Sequence, residues 1–192
     1  MMFLRELNQE RDEKIRERTL RLVAEQQPLV EELKENGFEI KSVWDLVNSR
    51  SNYPAAIPIL LKHLQMPYAD RTRGGIARAL AVRDPQTREA WPLLVEVYRK
   101  TPAVLGPDEE PKKPSRRSLA KDGLACALSV IASRETLEEL IALAKEPEHG
   151  NSRIFFIRTF KRSKSPVAKA VLAELDSDPV FQKEIRAKRS DR

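Results

Sequence analysis

Residues 151–166, NSRIFFIRTFKRSKSP, concentrate side chains that can contact a nucleic acid. The stretch carries five basic residues and three phenylalanines. Basic side chains neutralise phosphates, and aromatic rings stack on unpaired bases. The same composition also occurs in a buried amphipathic helix, so the periodicity of the stretch has to distinguish the two interpretations.

Few other residues could support catalysis or bind a metal. His63 and His149 are the only histidines and Cys126 is the only cysteine. Cys126 lies among small apolar residues, which predicts a buried thiol. His149 is followed by Gly150 and Asn151, which predicts a turn in which Asn151 is the N-cap of the next helix. We therefore expect no catalytic residue, no cofactor, no metal and no small-molecule substrate.

The elements that position these side chains are predicted to be helices. The 192-residue chain is 33% charged and has six glycines, and no stretch alternates with a period of two. This predicts a single all-α domain of about nine or ten helices and no sheet. No apolar run is long enough to span a bilayer, and the N-terminus lacks a hydrophobic signal core. We therefore expect a cytoplasmic protein that does not associate with membranes.

Composition suggests a division along the chain. Residues 1–50 are expected to form an N-terminal helical cap, residues 54–175 a regular series of helices, and residues 176–192 a charged C-terminal helix. Residues 101–115 contain four prolines, which predicts a mobile insertion within the series.

An internal repeat is visible within the series. RGGIARALA from Arg73, KDGLACALS from Lys121 and RIFFIRTFK from Arg153 align without gaps. Each begins with a basic residue, continues with apolar residues at helical spacing, and is followed by a second amphipathic helix. The three starts are 48 and 32 residues apart, which brackets the repeat length of two-helix solenoids, about 40–47 residues.

This pattern resembles HEAT repeats of the armadillo-like α-solenoid class, over residues 54–175. The resemblance implies an α-α superhelix, a right-handed solenoid of antiparallel helix pairs. It also implies a concave surface, formed by the second helices, on which partners dock. We therefore expect a non-enzymatic adaptor or regulatory module that binds another protein. The candidate partner-binding residues are the exposed, mixed-charge positions of the second helices: Arg88, Glu89, Glu96, Arg99, Glu135, Glu138 and Glu139.

Nucleic-acid binding is the alternative. On a helical projection, Phe156, Ile157 and Phe160 share one face and are predicted to be core residues. Arg153 points to the same face and is expected to form a structural ion pair or a helix cap. Residues 151–192 hold 11 basic and five acidic side chains, which favours salt-sensitive phosphate contacts. The candidate phosphate-binding residues are Arg158, Lys161, Arg162, Lys164, Lys183 and Arg186.

A less favoured alternative follows from the resemblance alone. DNA glycosylases for alkylated purines are built on HEAT-like solenoids and use an aromatic residue, an aspartate and arginines. Trp44, Asp45 and Trp91, with Arg73 or Arg88, could take those roles. Because Trp91 begins an apolar helical stripe, core packing is the favoured interpretation of that residue.

Overall fold

The computed structural model describes residues 2–105 and 116–187, with side chains from residue 10 onward. As predicted, the fold is all-α. The described part contains twelve α-helices, more than the nine or ten expected. Those of the first half are α1 (Met2–Glu25), α2 (Gln27–Glu35), α3 (Val43–Asn48), α4 (Ile57–Leu64, preceded by a 3₁₀ helix, Pro54–Ala56), α5 (Asp70–Ala79), α6 (Pro85–Glu89) and α7 (Trp91–Lys100).

The described part of the second half begins with two short strands and contains five α-helices and one 3₁₀ helix. Its elements are β1 (Val104–Leu105), β2 (Arg116–Arg117), α8 (Leu119–Ile131), α9 (Leu137–Lys145), a 3₁₀ helix (Pro147–Arg153), α10 (Ile154–Arg162), α11 (Pro166–Leu175) and α12 (Pro179–Arg186).

Proline accounts for one of the unexpected helix boundaries. The stretch PQTREAWPLLVEVYRK reads as one helix, but the chain divides it into α6 and α7 at Ala90. Pro92 lies in the first turn of α7 and has no N–H to donate to the preceding turn.

The two strands form an antiparallel ribbon, in which Val104 lies opposite Arg117 and Leu105 opposite Arg116. The expectation of no sheet is therefore wrong. Strands of two residues are too short to show an alternating pattern. The predicted insertion also begins later than residue 101, because Thr101 is buried in the folded body. The remainder of that prediction, residues 106–115, lies outside the described residues.

The helices pack in two layers. In the first layer α3, α5, α8, α10 and α12 contact one another in that order. In the second layer α2 contacts α4, α4 contacts α6, and α6 contacts α7. In the same layer α9 contacts α11. Contacts of α4 with α5, α7 with α8, and α10 with α11 join the layers. Consecutive helices thus alternate between the layers along most of the chain.

Glycine allows the closest approach within the first layer. A Cβ atom at Gly123 of α8 would lie 2.9 Å from the carbonyl oxygen of Gly74 and 2.9 Å from the Cβ of Ala77, both on α5. Real Cβ atoms do not tolerate such distances, so a side chain at this position would push the helices apart. The glycines of RGGI and KDG are explained by helix packing.

Basic residues of the internal repeat stabilise the ends of second-layer helices. Lys121 Nζ donates to the backbone carbonyl of Tyr98, in the last turn of α7. Arg153 donates to the carbonyl of Ala144 at 3.1 Å, in the last turn of α9, and pairs with Asp178 at 3.3 Å. The carbonyls at a helix C-terminus lack intrahelical partners and attract cations. The structural role predicted for Arg153 is confirmed.

Asp70 performs the complementary task at a helix N-terminus. Its carboxylate accepts hydrogen bonds from the backbone N–H groups of Leu119 at 2.9 Å and Ala120 at 3.0 Å, and from the Ser118 hydroxyl at 2.6 Å. Asp70 lies on α5, whereas these groups begin α8. The carboxylate therefore fixes the start of one first-layer helix against its neighbour.

The core prediction for the opening stretch is confirmed, since Phe156, Ile157 and Phe160 are fully buried. Two neighbouring predictions are wrong. Cys126 is only half-buried, because Leu124, Leu128 and Ile131 form the buried face of α8, although burial still raises the pKa of its thiol. Asn151 is not the N-cap of α10, because the backbone is already helical after the break at Gly150 and Arg153 occupies the N-cap position.

Candidate functional site

The centre of the predicted protein-binding surface is internally paired. Arg99 of α7 lies 4.0 Å from Glu139 and 3.6 Å from Glu146. Glu139 also accepts a hydrogen bond of 2.7 Å from the indole N–H of Trp91. These contacts join α7 to α9 across the second layer. Much of the charge expected to attract a partner is thus used to hold neighbouring helices together.

The other candidates for protein binding are dispersed. Glu96 pairs with Lys100 at 2.5 Å on the same helix. Arg88 and Glu89 are exposed on the short α6. Glu135 and Glu138 lie at the start of α9, at an edge of the two layers. The predicted surface therefore falls into separate parts.

Two of the predicted phosphate-binding residues have structural partners. Lys161 donates to the carbonyl oxygen of Ala187 at 2.9 Å, just beyond α12. Arg186 lies 3.4 Å from Asp176. Lys183 is exposed on α12, three residues before Arg186. Lys161 and Arg186 are therefore less suited to phosphate binding than their sequence context indicates.

Arg158, Arg162 and Lys164 are exposed on or just after α10. Arg162 and Lys164 line a cleft of about 770 Å³. The cleft lies where first-layer helices end and second-layer helices begin. Its remaining lining residues come from the turn after α5, the end of α8, the turn between α8 and α9, and the start of α11: Arg83, Ser129, Val130, Ala132, Ser133, Arg134, Leu137, Glu138, Thr159, Ser163, Ser165, Pro166 and Val167.

The cleft brings together four exposed cations, which we call the basic edge: Arg83, Arg134, Arg162 and Lys164. Within the described part of the chain, none of the four lies within 4.0 Å of a carboxylate. Glu138 is the one acidic residue among the described lining residues. The four cations of the edge therefore lack a close ion-pair partner, in contrast to the paired charges of α7 and α9, while the carboxylate of Glu138 offsets part of their charge.

The helix ends around the cleft add to this potential. Neither α9 nor α11 has a side chain bonded to the N–H groups of its first turn. Leu137 and Glu138 of α9, and Pro166 and Val167 of α11, line the cleft. A helix N-terminus carries a partial positive charge and unpaired N–H groups, which favour anions. Glu138 and Glu139 already oppose this charge in the first turn of α9, so the N-terminus of α11 is the one that adds to the positive side chains of the cleft.

Hydroxyl groups fix the floor of the cleft. Ser129 Oγ lies 2.7 Å from Thr159 Oγ1 and donates to the carbonyl of Phe155 at 2.8 Å. Thr159 Oγ1 in turn lies 2.7 Å from the carbonyl oxygen of Ser129. These bonds join α8 to α10 at the cleft, which both residues line. The relative positions of Arg134 and Arg162 therefore depend on a bonded helix pair.

The rim of the cleft also holds one ionised carboxylate. The Ser133 hydroxyl donates to Glu135 at 2.5 Å, which holds the pKa of this carboxyl below its ordinary value. The positive charge of Arg134 also lowers the pKa of Glu135. Glu135 is thus satisfied by its own turn, and it reduces the net positive charge of the edge by one.

Sequence inspection missed Arg83 and Arg134, because neither lies in the basic C-terminal segment. The signal that could have found them is their position. Arg83, Arg134 and Lys164 each occur in a turn between a first helix and the helix that follows it. Aligning the turns as well as the helices would have placed the three at one edge.

Most residues considered for a glycosylase site have structural contacts, whereas Arg88 is exposed on α6. Asp45 accepts hydrogen bonds from the backbone N–H groups of Lys41 at 2.8 Å and Ser42 at 3.0 Å, completing the N-terminal cap of α3. Trp91 is buried, as the core interpretation predicted. Trp44 packs beside Arg71, whose guanidinium lies 5.7 Å from the indole centre.

Comparison with known proteins gives no relative: no family model matches the chain, and neither a curated protein nor a solved structure does. None of the helices in the described part is both long and apolar enough to cross a membrane. Within the same residues, no group of three or more His, Cys, Asp or Glu side chains is placed to hold a metal ion.

Proposed function

We propose that this protein is a non-enzymatic nucleic-acid-binding module that holds the phosphate backbone at its basic edge. The observation that carries the proposal is the cleft in which Arg83, Arg134, Arg162 and Lys164 converge without a carboxylate partner among the described residues. Cations held near one another attract a polyanion by releasing its counterions.

The scaffold of this module is proposed to be a right-handed solenoid of HEAT-like antiparallel helix pairs. The alternation of helices between two layers, with α5, α8 and α10 stacked in order, supports this arrangement. In such a stack, equivalent turns recur at one edge, so each added helix pair extends the binding surface. A cytoplasmic location is part of the same proposal.

The test is fluorescence anisotropy with a labelled 20-base-pair DNA duplex at about 0.05 M salt. Replacing Arg134 and Lys164 by glutamate should weaken binding by at least about 100-fold, since two phosphate contacts are lost and two repulsive charges gained. The matched control is Arg88→Glu with Lys100→Glu, which makes the same change in net charge at exposed positions of α6 and α7. Equal losses in the two double variants would mean that net charge, and not the cleft, controls binding.

A protein partner on the second layer is the second candidate. It is favoured by one observation: Arg88 and Glu89 are exposed on α6 at the surface of this layer. Crosslinking in cell extract should then capture one partner with the parent protein and lose it with Arg88→Glu/Lys100→Glu. Capture unaffected by that variant would remove this face from consideration.

A further inference from the structure

The turns that connect the two layers carry exposed basic residues beyond the cleft as well as within it. One exposed basic residue follows each of four first-layer helices: Arg50 after α3, Arg83 after α5, Arg134 after α8 and Lys164 after α10. Each is followed within a few residues by the start of a second-layer helix. We call this series the turn ladder.

A second depression adjoins the cleft at Arg83, and its lining begins at Ser51, the residue that follows Arg50 in the chain. It has a volume of about 180 Å³ and is lined by the turn after α3 and the turn after α5. Arg83 lines both this depression and the larger cleft. Asp84 is the acidic residue that lines the smaller depression. It accepts a hydrogen bond of 2.9 Å from the backbone N–H of Gln86 and so caps α6. The two depressions therefore adjoin along one edge.

The described aromatic rings argue against recognition of single strands. No aromatic residue from position 10 onward in the described ranges is largely exposed, and none lines the larger cleft. Tyr53 reaches the smaller depression, but its hydroxyl donates to the carbonyl of Ala79 at 2.9 Å. Proteins that bind single strands rely on exposed rings that stack on bases. The turn ladder offers charge without stacking.

We propose that the turn ladder binds double-stranded nucleic acid along its backbone, one phosphate contact per helix pair, without reading the sequence of bases. This inference rests on the proposed function and specifies the form of the nucleic acid. A duplex presents phosphates at regular intervals on a stiff rod, and equivalent turns recur at regular intervals along a helix stack. Cations repeated along one edge can therefore contact several phosphates of a duplex without any base contact.

The ladder also fixes the size of the site. Packed helices lie about 8–10 Å apart, so three steps from Arg50 to Lys164 span about 24–30 Å. At about 3.4 Å per base pair, this distance corresponds to about eight base pairs. A stem much shorter than this cannot reach Arg50 and Lys164 together.

The experiment uses the full chain with labelled DNA hairpins whose stems are about 5 and 12 base pairs long, at about 0.05 M salt. A 12-base-pair RNA hairpin and a single-stranded oligothymidine form two further arms. Arg50→Glu should lower affinity for the 12-base-pair stem about ten-fold, the effect of one phosphate contact at this salt concentration. It should leave binding of the short stem within about two-fold. Arg50→Gln should give a smaller loss of the same kind.

Tighter binding of either 12-base-pair hairpin than of the single strand supports the proposal, and comparison of DNA with RNA shows which duplex fits. Equal or tighter binding of the single strand overturns it. An unchanged affinity of Arg50→Glu for the long stem also overturns the ladder, while leaving the cleft as a binding site. Failure of every nucleic acid to bind would instead remove the proposed function itself.

Discussion

Lys121 should make the stability of this protein depend on pH in an unusual direction. Its ammonium group is buried, lies 4.0 Å from the ring centre of Tyr98, and lies 3.1 Å from Nδ1 of His149. Burial lowers the pKa of Lys121 to about 8, from 10.5. Burial and the charge of Lys121 also lower the pKa of His149, which keeps this histidine neutral at pH 7.

The direction of the effect follows from proton binding. Between pH 7 and 9 the folded protein releases the Lys121 proton while the unfolded chain retains it. The unfolded state therefore binds more protons, and the free energy of unfolding rises with pH. Titration with pKa values of about 8 and 10.5 gives a rise of about 1 kcal/mol over this interval. The contribution is complete only above pH 10.5 and is lost as the pH falls through 8.

The assay is urea unfolding followed by circular dichroism at pH 7, 8 and 9. Both proteins should carry Cys126→Ala, because burial raises the pKa of this thiol and its ionisation in the unfolded chain would act in the opposite direction. Above about pH 10 the ionisation of Tyr98 in the unfolded chain would likewise lower the free energy of unfolding, since burial raises its pKa in the folded protein. Lys121→Met should remove the rise. If Lys121→Met retained the parent slope, the assignment of the pH dependence to Lys121 would be refuted.

Three further substitutions test the packing. Gly123→Ala should destabilise the protein by about 1–3 kcal/mol in thermal or urea unfolding, because its Cβ would clash with α5; a neutral result would mean that the helices lie farther apart. Asp70→Ala should cost about 1–2 kcal/mol through loss of the bonds to Leu119 and Ala120. Asp70→Asn should recover part of that loss. Equal stability of the parent and both variants would exclude a stabilising role of Asp70 at the start of α8. Phe160→Ala should cost about 3–5 kcal/mol because the ring is fully buried, and a loss below about 1 kcal/mol would contradict its place in the core.

The helices were predictable because their signals are local. Apolar residues at helical spacing identified α8 and α10, and the buried Phe156 and Phe160 followed from the projection. Proline and glycine marked many boundaries, including the end of α2, where Gly37 adopts a φ of 87°. The ribbon was missed because two residues carry no periodic pattern.

The candidate site was only partly predictable because charge compensation depends on contacts between distant segments. Arg162 and Lys164 were identified from the basic C-terminal segment. Lys161 donates to a carbonyl just beyond α12, and Arg99 pairs with Glu139. Both contacts link residues that are far apart in the chain. Arg134 stands beside Glu135 in sequence, which conceals its place among the cations that line the cleft.

The most direct test of phosphate binding at the basic edge is the salt dependence of duplex affinity. About four phosphate contacts predict a slope of about −3.6 for log K against log salt concentration. Arg134→Gln with Lys164→Gln should reduce the magnitude of the slope by about 1.8, whereas Arg88→Gln with Lys100→Gln should not change it. A slope that is the same in all three proteins, or no binding at about 0.05 M salt, would contradict the assignment of the basic edge as a nucleic-acid site.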